Sequence, residues 1–331
     1  MRVAINGFGR IGRAVFRILQ GRSDVDIVGV NDLFDPAVLT YLLRYDTVMG
    51  PFPGELHLWD GELSTANGAT KMLAIRELEE LPWAELDVDV VIESTGAFRT
   101  RVDLEKHVNA GARKVLLSVP AADEIDFTVV LGVNDTGLEP SHRIVSNASC
   151  TTNCLAPMAK VLDDAFGIAA GVINTVHAYT NDQRLADVPH SDWRRSRAAA
   201  ENIIPTTTGA ARAVGKVLPG LAGKLDGIAA RVPVADGSVV DLFAEIEHPA
   251  SVQDVHDAIR EAARGPMQGI LEFADRPIVS SDVIGNPHSS IYDAEFTTVT
   301  AGKFVKTLNW YDNEWAYANR LCDLLTRLAA T

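Results

Sequence analysis

The chain has 331 residues, with 44 acidic and 30 basic side chains and a formal net charge of −14 at pH 7. At roughly 100–200 residues per domain this length suggests two domains, and a chain of this size needs no disulfide or metal to stabilise its core. The acidic balance argues against nonspecific binding to nucleic acid or to anionic membranes, so we expect neither as a partner.

Cysteine use and hydropathy bear on the compartment. The sequence has three cysteines, Cys150, Cys154 and Cys322, whose number and spacing do not suggest a disulfide framework. The chain opens on a strand-like segment with no signal-peptide pattern, and no apolar run approaches the ~20 residues of a membrane span. We therefore expect a cytoplasmic protein.

Short apolar runs alternate with helical patterns in the first half of the chain. A run at residues 3–5 leads into a turn, a helical pattern at residues 10–19 and a second run at residues 27–30. This order is typical of the parallel α/β unit. Further predicted elements are strands at residues 88–92, 115–119, 129–133 and 144–145 and a helix at residues 102–110. We therefore predict an α/β protein in which residues 1–149 form a Rossmann-type domain with a mostly parallel sheet.

The hydropathy pattern changes after residue 149. Longer alternating runs predict an α+β domain with a mixed or antiparallel sheet that has one covered face; they lie at residues 172–177, 227–234, 239–246 and 304–310. Helical patterns lie at residues 151–166, 209–217, 252–263 and 314–329. The polar stretch at residues 180–205 has no strong period and carries Arg184, Arg194, Arg195 and Arg197. Loops of that length are usually functional or disordered.

A glycine motif follows the first predicted strand. Gly7, Gly9 and Gly12 form a G-x-G-x-x-G that opens a helix, where they allow a tight turn, the approach of a pyrophosphate and close packing of helix on strand. Asp32 ends the next strand, 20 residues past the third glycine, where a carboxylate holds ribose hydroxyls and disfavours the 2′-phosphate of NADP. The motif predicts an NAD site, and the alternative is a structural turn without a ligand. The segments around Thr95 and Ser118 end two later strands and are equally compatible with ligand contacts or ordinary turns.

Cys150 lies between an apolar strand and a helical run, close to a helix N-terminus that would lower its thiol pKa. A cysteine without further context is more often buried and inert. Cys154, one turn further on, is more simply a small core residue, and no further ligands indicate a metal site. His177 ends a long predicted strand and could serve as the base for Cys150, although a lone histidine there is usually a polar surface residue.

Taken together, these segments closely resemble the phosphorylating glyceraldehyde-3-phosphate dehydrogenase family over nearly the whole chain. The segments that carry the resemblance are Asn6-Gly7-Phe8-Gly9-Arg10-Ile11-Gly12-Arg13, Asn31-Asp32, Ser149-Cys150-Thr151-Thr152-Asn153-Cys154-Leu155-Ala156-Pro157, His177-Ala178-Tyr179-Thr180-Asn181-Asp182-Gln183, Pro205-Thr206-Thr207-Thr208-Gly209-Ala210-Ala211, Arg231-Val232-Pro233 and Trp310-Tyr311-Asp312-Asn313-Glu314-Trp315.

The resemblance implies a homotetramer with an NAD-binding domain at 1–149, a catalytic domain at 150–313 and a C-terminal helix at 314–331 that packs back on the first domain. It implies Cys150 as nucleophile and His177 as its base. The implied cofactor residues are Arg10, Ile11, Asp32, Arg76, Thr95 and Ser118, with Asn313 on the nicotinamide carboxamide. The implied phosphate residues are Thr180 and Arg231 for the substrate and Ser149, Thr151, Arg195, Thr208 and Gly209 for inorganic phosphate.

The implied reaction is the oxidative phosphorylation of D-glyceraldehyde 3-phosphate to 1,3-bisphosphoglycerate in glycolysis or gluconeogenesis, with NAD, inorganic phosphate and a thioester on Cys150. Three alternatives stay open. An erythrose-4-phosphate dehydrogenase shares the cysteine and histidine, but the segment at residues 206–209 resembles the glyceraldehyde-3-phosphate enzyme more closely. An NADP-using photosynthetic type is disfavoured by Leu33 and Pro189 as well as by Asp32. A non-catalytic nucleotide- or RNA-binding protein is disfavoured by the acidic charge and the intact cysteine–histidine pair.

Five positions in three segments depart from the family's common pattern. Ala235-Asp236-Gly237 stands where Thr-Pro-Asn is usual, Ala316 where glycine is usual, and Val119 where alanine is common. None is itself an implied catalytic group. The first departure adds an acid near the segment of Arg231, where it bears on the fine geometry of the substrate phosphate site.

Overall fold

A computed structural model describes residues 1–330, with side chains described through residue 328. The chain divides into two compact units. The first comprises Met1–Val129, Thr136–Ser149 and the residues from Ala318 onward, and the second comprises Val130–Asp135 and Cys150–Tyr317. Each unit has its own β-sheet.

The first unit contains a nine-stranded sheet with strand order β3-β4-β5-β2-β1-β6-β7-β9-β8. Its strands are β1 Arg2–Asn6, β2 Asp26–Asn31, β3 His57–Trp59, β4 Glu62–Thr65, β5 Gly68–Leu73, β6 Val90–Glu93, β7 Lys114–Leu117, β8 Phe127–Thr128 and β9 Ile144–Ser146. Its helices are α1 Arg10–Leu19, α2 Pro36–Arg44 and α3 Arg101–Asn109. All neighbouring strands are parallel except in the β3-β4-β5 meander, which confirms the predicted Rossmann-type α/β architecture.

The central strands of this sheet are apolar because helices and loops cover both faces. Val3, Ala4 and Ile5 of β1 are fully buried, as the continuous apolar run predicted. Helix α1 begins and ends where its hydrophobic period does, and its N-cap is Gly9, which offers no side chain to cap it. The uncapped N–H groups of the first turn therefore point into the space beyond the strand ends.

The second unit contains a seven-stranded mixed sheet with strand order β11-β12-β10-β13-β16-β15-β14. Its strands are β10 Ile168–Ala178, β11 Ile204–Thr207, β12 Leu225–Val232, β13 Ser238–Ile246, β14 Leu271–Ala274, β15 Ser290–Thr300 and β16 Phe304–Tyr311. The remaining helices are α4 Cys150–Phe166, α5 Ala210–Val217, α6 Val252–Arg264 and α7 Trp315–Ala330. The pairs β10–β12 and β14–β15 are parallel and the others antiparallel, so the predicted mixed sheet is confirmed.

Some predicted elements are wrong or were missed. The apolar run at residues 129–133 is not a strand, because the chain turns there and the Val133 N–H donates to the Val130 carbonyl 3.1 Å away. Val129 and Val130 are nevertheless fully buried, which explains the apolar run. Helix α2 and the meander β3–β5 were missed, since their short amphipathic segments give a weak periodic signal. No helix within residues 1–330 is long and apolar enough to cross a membrane.

Candidate active site

A cleft of about 370 Å³ lies in the first unit, at the carboxyl ends of β1, β2 and β6. This edge is where ligands bind in open parallel sheets. Of the residues predicted to contact NAD, the lining includes Gly7, Gly9, Asp32, Arg76 and Thr95. The other predicted cofactor residues of this unit lie outside that lining; they are Arg10, Ile11, Gly12 and Ser118.

The three motif glycines serve different purposes. Gly7 has φ +93°, and a Cβ there would lie 2.5 Å from the Thr95 nitrogen. A Cβ on Gly12 would overlap the carbonyl oxygen of Gly7. Gly9 has an ordinary φ of −72° and no protein atom within 4 Å of where a Cβ would lie. The fold therefore requires glycine at 7 and 12 but not at 9, where the empty space beside the uncapped helix N-terminus fits a pyrophosphate.

Asp32 is oriented by the backbone around it. Its carboxylate accepts hydrogen bonds from the N–H groups of Phe8 at 2.8 Å and Phe34 at 3.2 Å. The first of these bonds joins the strand end to the glycine turn. Arg10, by contrast, is not part of the cleft lining, and its guanidinium is paired with the carboxylate of Asp46.

A buried polar network lies behind the cleft. Glu93, at the end of β6, accepts hydrogen bonds from the Asn6 amide at 2.6 Å and the Thr95 N–H at 2.8 Å. His107 Nε2 lies 3.1 Å from the Glu93 carboxylate, and His107 Nδ1 accepts from Trp83 Nε1 at 3.0 Å. The indole is only a donor, so the Nε2 of His107 carries the proton. The network fixes the strand ends that line the cleft, and sequence reasoning missed it because its members are far apart in the chain.

The second unit brings Cys150 and His177 together. Cys150 is the first residue of α4 and His177 the penultimate residue of β10, and Cys150 Sγ lies 3.5 Å from His177 Nε2. The imidazole is buried, while the cysteine keeps partial exposure. The ring of Tyr311 packs edge-on against the imidazole at 5.9 Å, and its hydroxyl hydrogen-bonds Thr151 at 2.8 Å. The nucleophile and base predicted from sequence are thus within hydrogen-bond reach.

Burial dominates the acid–base character of this pair. It raises the pKa of the Cys150 thiol, against the opposing effects of Arg231 and of hydrogen bonds with Thr151. Burial, together with the nearby Arg231 charge, lowers the pKa of His177 to about 3. The expectation that the helix N-terminus would lower the pKa of Cys150 is therefore wrong for the free protein, since desolvation of the thiolate outweighs it. These pKa directions favour the neutral form of both groups, so formation of the thiolate requires a base that accepts the proton from the sulfur.

The two arginines predicted to bind phosphate, Arg231 and Arg195, have different neighbours. Arg231 Nη1 lies 2.7 Å from His177 Nδ1 and donates to the Ala178 carbonyl at 3.2 Å. Arg195 forms an ion pair with Asp182, which also accepts a hydrogen bond from Thr180. The sequence analysis did not identify Asp182 as a neighbour of these predicted phosphate-binding side chains, although Asp182 lies in the segment His177–Gln183 that carries the family resemblance.

The other predicted positions are spread over the same elements. Thr208 and Gly209 precede α5, where Gly209 is the N-cap and has no protein atom within 4 Å of where a Cβ would lie. Asn313 is buried, and its Oδ1 accepts from Ser238 Oγ at 2.6 Å. Ser149 belongs to the first unit, directly before the helix that begins with Cys150. Within the described residues, no group of three or more His, Cys, Asp or Glu side chains could hold a metal ion.

Comparison with known proteins assigns the family. Residues 1–101 match the model of the glyceraldehyde 3-phosphate dehydrogenase NAD binding domain, and residues 149–313 match that of the glyceraldehyde 3-phosphate dehydrogenase C-terminal domain. The chain belongs to the glyceraldehyde-3-phosphate dehydrogenase family. It is accordingly an oxidoreductase, and NAD is its cofactor.

Similar proteins agree along almost the full length. Glyceraldehyde-3-phosphate dehydrogenase 2 of Streptomyces avermitilis is 54% identical over 327 residues, which cover 98% of this chain and 97% of that protein. Glyceraldehyde-3-phosphate dehydrogenase of Mycobacterium avium is 53% identical over 333 residues, covering 98% and 97%. The Mycobacterium tuberculosis protein of the same name is 52% identical over 333 residues, covering 98% of each chain.

The acid that departs from the family's common pattern belongs to a buried carboxyl pair. Asp236 and Asp312 are 1% and 0% exposed, and the two carboxyl groups are close enough for each to affect the pKa of the other. Asp312 accepts from the N–H groups of Gly285 at 2.7 Å and Trp315 at 2.6 Å, which orient it at the start of α7. Burial and the Asp312 and Glu314 charges raise the pKa of Asp236 to about 9, so Asp236 holds the shared proton.

Replacing Gly9 separates cofactor binding from folding. Since the protein leaves room for a methyl group there, we expect Gly9→Ala to fold normally but to weaken NAD binding by about tenfold or more, which is ~1.4 kcal/mol. Calorimetric titration with NAD and thermal unfolding without it would measure the two effects. Gly7→Ala is the control, because its strained φ and backbone overlap should lower stability itself. Unchanged NAD affinity in Gly9→Ala would contradict the assignment of this cleft.

Replacing Asp236 tests the carboxyl pair. A folded-state pKa near 9, above the unfolded value of about 3.9, means that folding takes up a proton, so this contribution to stability is complete below pH ~4 and is lost as the pH rises through ~9. Asp236→Asn cannot ionise, so it should be more stable than the wild type by a margin that grows with pH to about 2 kcal/mol or more.

Denaturant unfolding of both proteins over this pH range measures that margin. Asp312→Asn is the matched control and should destabilise instead, because an amide cannot accept all the N–H groups that Asp312 accepts. A margin between wild type and Asp236→Asn that does not vary with pH would rule out the shared proton.

Proposed function

We propose that this chain converts D-glyceraldehyde 3-phosphate to 1,3-bisphosphoglycerate with NAD and inorganic phosphate, in glycolysis or gluconeogenesis, through a thioester on Cys150. The observation that carries the proposal is the 3.5 Å contact between Cys150 Sγ and His177 Nε2 in a chain of this family. Erythrose 4-phosphate is not favoured as the substrate, since the similar proteins are named for glyceraldehyde 3-phosphate.

The chemistry follows from the resting state of the pair. Both groups are neutral, so His177 Nε2 takes the thiol proton as Cys150 Sγ bonds to the aldehyde carbon. The imidazolium of His177 returns this proton to the former carbonyl oxygen, which gives a hemithioacetal. The hemithioacetal then loses a hydride from carbon and its hydroxyl proton to His177, and becomes a thioester. NAD, when bound, supplies the acceptor for that hydride. The oxygen of inorganic phosphate then bonds to the thioester carbon, the carbon–sulfur bond breaks, and the acyl phosphate leaves Cys150 ready for another cycle.

The binding roles are proposed residue by residue. In the first unit, Asp32 would hold the adenosine ribose, and the α1 N-terminus beside Gly9 would hold the pyrophosphate, with Arg10, Ile11, Gly7, Gly12, Arg76, Thr95 and Ser118 completing the site. Asn313 would hold the nicotinamide carboxamide. Thr180 and Arg231 would bind the substrate phosphate, and Ser149, Thr151, Arg195, Thr208 and Gly209 would bind inorganic phosphate. Arginine forks, hydroxyls and backbone N–H groups are the donors that phosphate prefers.

We also propose the domain limits 1–149, 150–313 and 314–331, of which Thr331 lies outside the described residues. The C-terminal helix is proposed to pack on the NAD-binding domain. In support, the Arg22 guanidinium donates to the Cys322 carbonyl at 2.8 Å and to Thr326 Oγ1 at 2.7 Å, all within the first unit.

A homotetramer is part of the proposal. One face of the sheet in the second unit exposes large apolar side chains, which are Val172, Ile228, Phe243, Phe296 and Phe304. Contiguous exposed apolar surface of this kind marks a protein interface. A second copy of the chain is the simplest partner for it, and the number four comes from the family resemblance. The cytosol is the proposed compartment, since all three cysteines are free thiols.

An activity assay tests the reaction. NADH formation should require both glyceraldehyde 3-phosphate and inorganic phosphate, and Cys150→Ser should lose about a thousandfold or more of it. Cys154→Ser is the matched control one helical turn away, where the buried thiol hydrogen-bonds Ser290 and the Asn309 carbonyl. Parallel assays with erythrose 4-phosphate and with NADP test the alternatives. Full activity of Cys150→Ser, or faster turnover of the four-carbon substrate, would refute the proposed reaction.

A further inference from the structure

The side-chain amide of Asn313, directly before α7, is bonded at its oxygen and not at its nitrogen. Asn313 Oδ1 accepts from Ser238 Oγ at 2.6 Å. Asn313 Nδ2 has no hydrogen-bond partner among the described residues, yet it is not one of the buried side-chain nitrogens that lack a partner. The NH2 group therefore keeps access to solvent, with both of its N–H donors unused.

The surroundings of Ser238 decide which end of this amide faces outward. Ser238 is fully buried, and its Oγ accepts from the Ala178 N–H at 3.0 Å. Among the residues that the structure describes, its own O–H has one acceptor, the Oδ1 of Asn313. If the amide were turned over, Asn313 Nδ2 would donate to Ser238 Oγ, and the buried hydroxyl hydrogen would be left without an acceptor. Because an unsatisfied buried donor is costly, the observed orientation is the favoured one.

The backbone around Ser238 fixes the position of its hydroxyl. Ser238 is the first residue of β13 and pairs with Tyr311 of β16, two residues before Asn313 in the chain. Gly237 precedes it with φ +83°, and a Cβ there would lie 2.2 Å from the Ser280 carbonyl oxygen. The turn that leads into β13 is therefore closely packed, and the hydroxyl is presented to the amide by ordered sheet.

The chain segment that carries Asn313 is fixed on its other side by Asp312. The buried Asp312 carboxylate accepts from the N–H groups of Gly285 at 2.7 Å and Trp315 at 2.6 Å. With the backbone held there, the Asn313 amide can turn only about its own side-chain torsions. The bond from Ser238 opposes that rotation, and it is the one side-chain hydrogen bond of Asn313 within the described chain.

We propose that Ser238 is a positioning residue for the cofactor: its hydroxyl turns the Asn313 amide so that the NH2 group donates to the carbonyl oxygen of the nicotinamide carboxamide. The proposal rests on the proposed function, in which Asn313 holds that carboxamide. A group that offers only donors selects an acceptor atom and makes no use of the carboxamide NH2. The analogue 3-acetylpyridine adenine dinucleotide keeps the carbonyl and has a methyl group in place of that NH2, so it should keep the bond to Asn313.

Calorimetric titration of the wild type and of Ser238→Ala tests this with NAD, the acetylpyridine analogue and ADP-ribose, which lacks the nicotinamide. Without the hydroxyl the Asn313 amide is free to turn, so Ser238→Ala should bind NAD and the analogue each about fivefold more weakly. Its affinity for ADP-ribose should stay within about twofold of the wild-type value, because ADP-ribose has no group for Asn313 to bind. A purely structural role of Ser238 would instead weaken the binding of all these ligands alike.

Ser290→Ala is the matched control and should leave the affinities unchanged. Ser290 is a fully buried serine of the same sheet, and its Oγ accepts from Asn309 Nδ2 at 3.0 Å rather than contacting Asn313. If Ser238→Ala does not fold, Ser238→Cys replaces the hydroxyl by a weak donor and should show the same pattern with a smaller loss.

Three results would overturn the proposal. One is an unchanged NAD affinity in the Ser238 variant, and another is an equal loss of affinity for ADP-ribose. The third is a loss for NAD without a loss for the acetylpyridine analogue, since the Asn313 amide would then accept from the carboxamide NH2. The proposed reaction is judged separately, because NADH formation from the aldehyde and phosphate can fail while this binding pattern holds.

Discussion

The contact between Cys150 Sγ and His177 Nε2 is the interaction on which the proposed chemistry of this protein depends. Neither group tolerates a charge alone at this depth, since burial raises the pKa of one and lowers that of the other. In the proposed reaction the proton would therefore move within the pair as the sulfur attacks. Desolvation of this kind favours the neutral thiol unless a neighbouring group accepts its proton.

The fold holds this pair from elements that are distant in sequence. Helix α4 presents Cys150 at its first position, and β10 places His177 near its end. Parallel pairing of β10 with β12 puts Arg231 directly opposite His177 in the register. Strand β16 lies two strands from β10 in the sheet order and places the Tyr311 ring edge-on against the imidazole. The base is consequently surrounded by rigid sheet, while the nucleophile is oriented by the start of a helix.

The sequence predicted the parts of this arrangement that depend on local patterns. The limits of α1, the glycine turn and the pairing of Cys150 with His177 follow from periodicity, motif and family resemblance. The relation of Arg231 to His177 does not, because it depends on the pairing register of two strands, which brings together residues 54 positions apart in the sequence. The direction of the Cys150 pKa was wrong for a related reason: a helix N-terminus is visible in a sequence, but the burial that outweighs it is not.

The surroundings of Asp236, the acid that departs from the family's common pattern, could not be predicted from the sequence either. From the sequence, a new carboxylate three residues after Pro233 was expected to disturb the phosphate site. In the fold it lies against Asp312 instead, and its charge is removed by a shared proton rather than by an arginine. Asp236 therefore adds no negative charge near Arg231, which is proposed to bind the substrate phosphate. Arg195 is ion-paired with Asp182 and lies 3.7 Å from Asp192, and the charge of Arg231 also lowers the pKa of Asp182, so these carboxylates interact with both of the arginines that are proposed to bind phosphate.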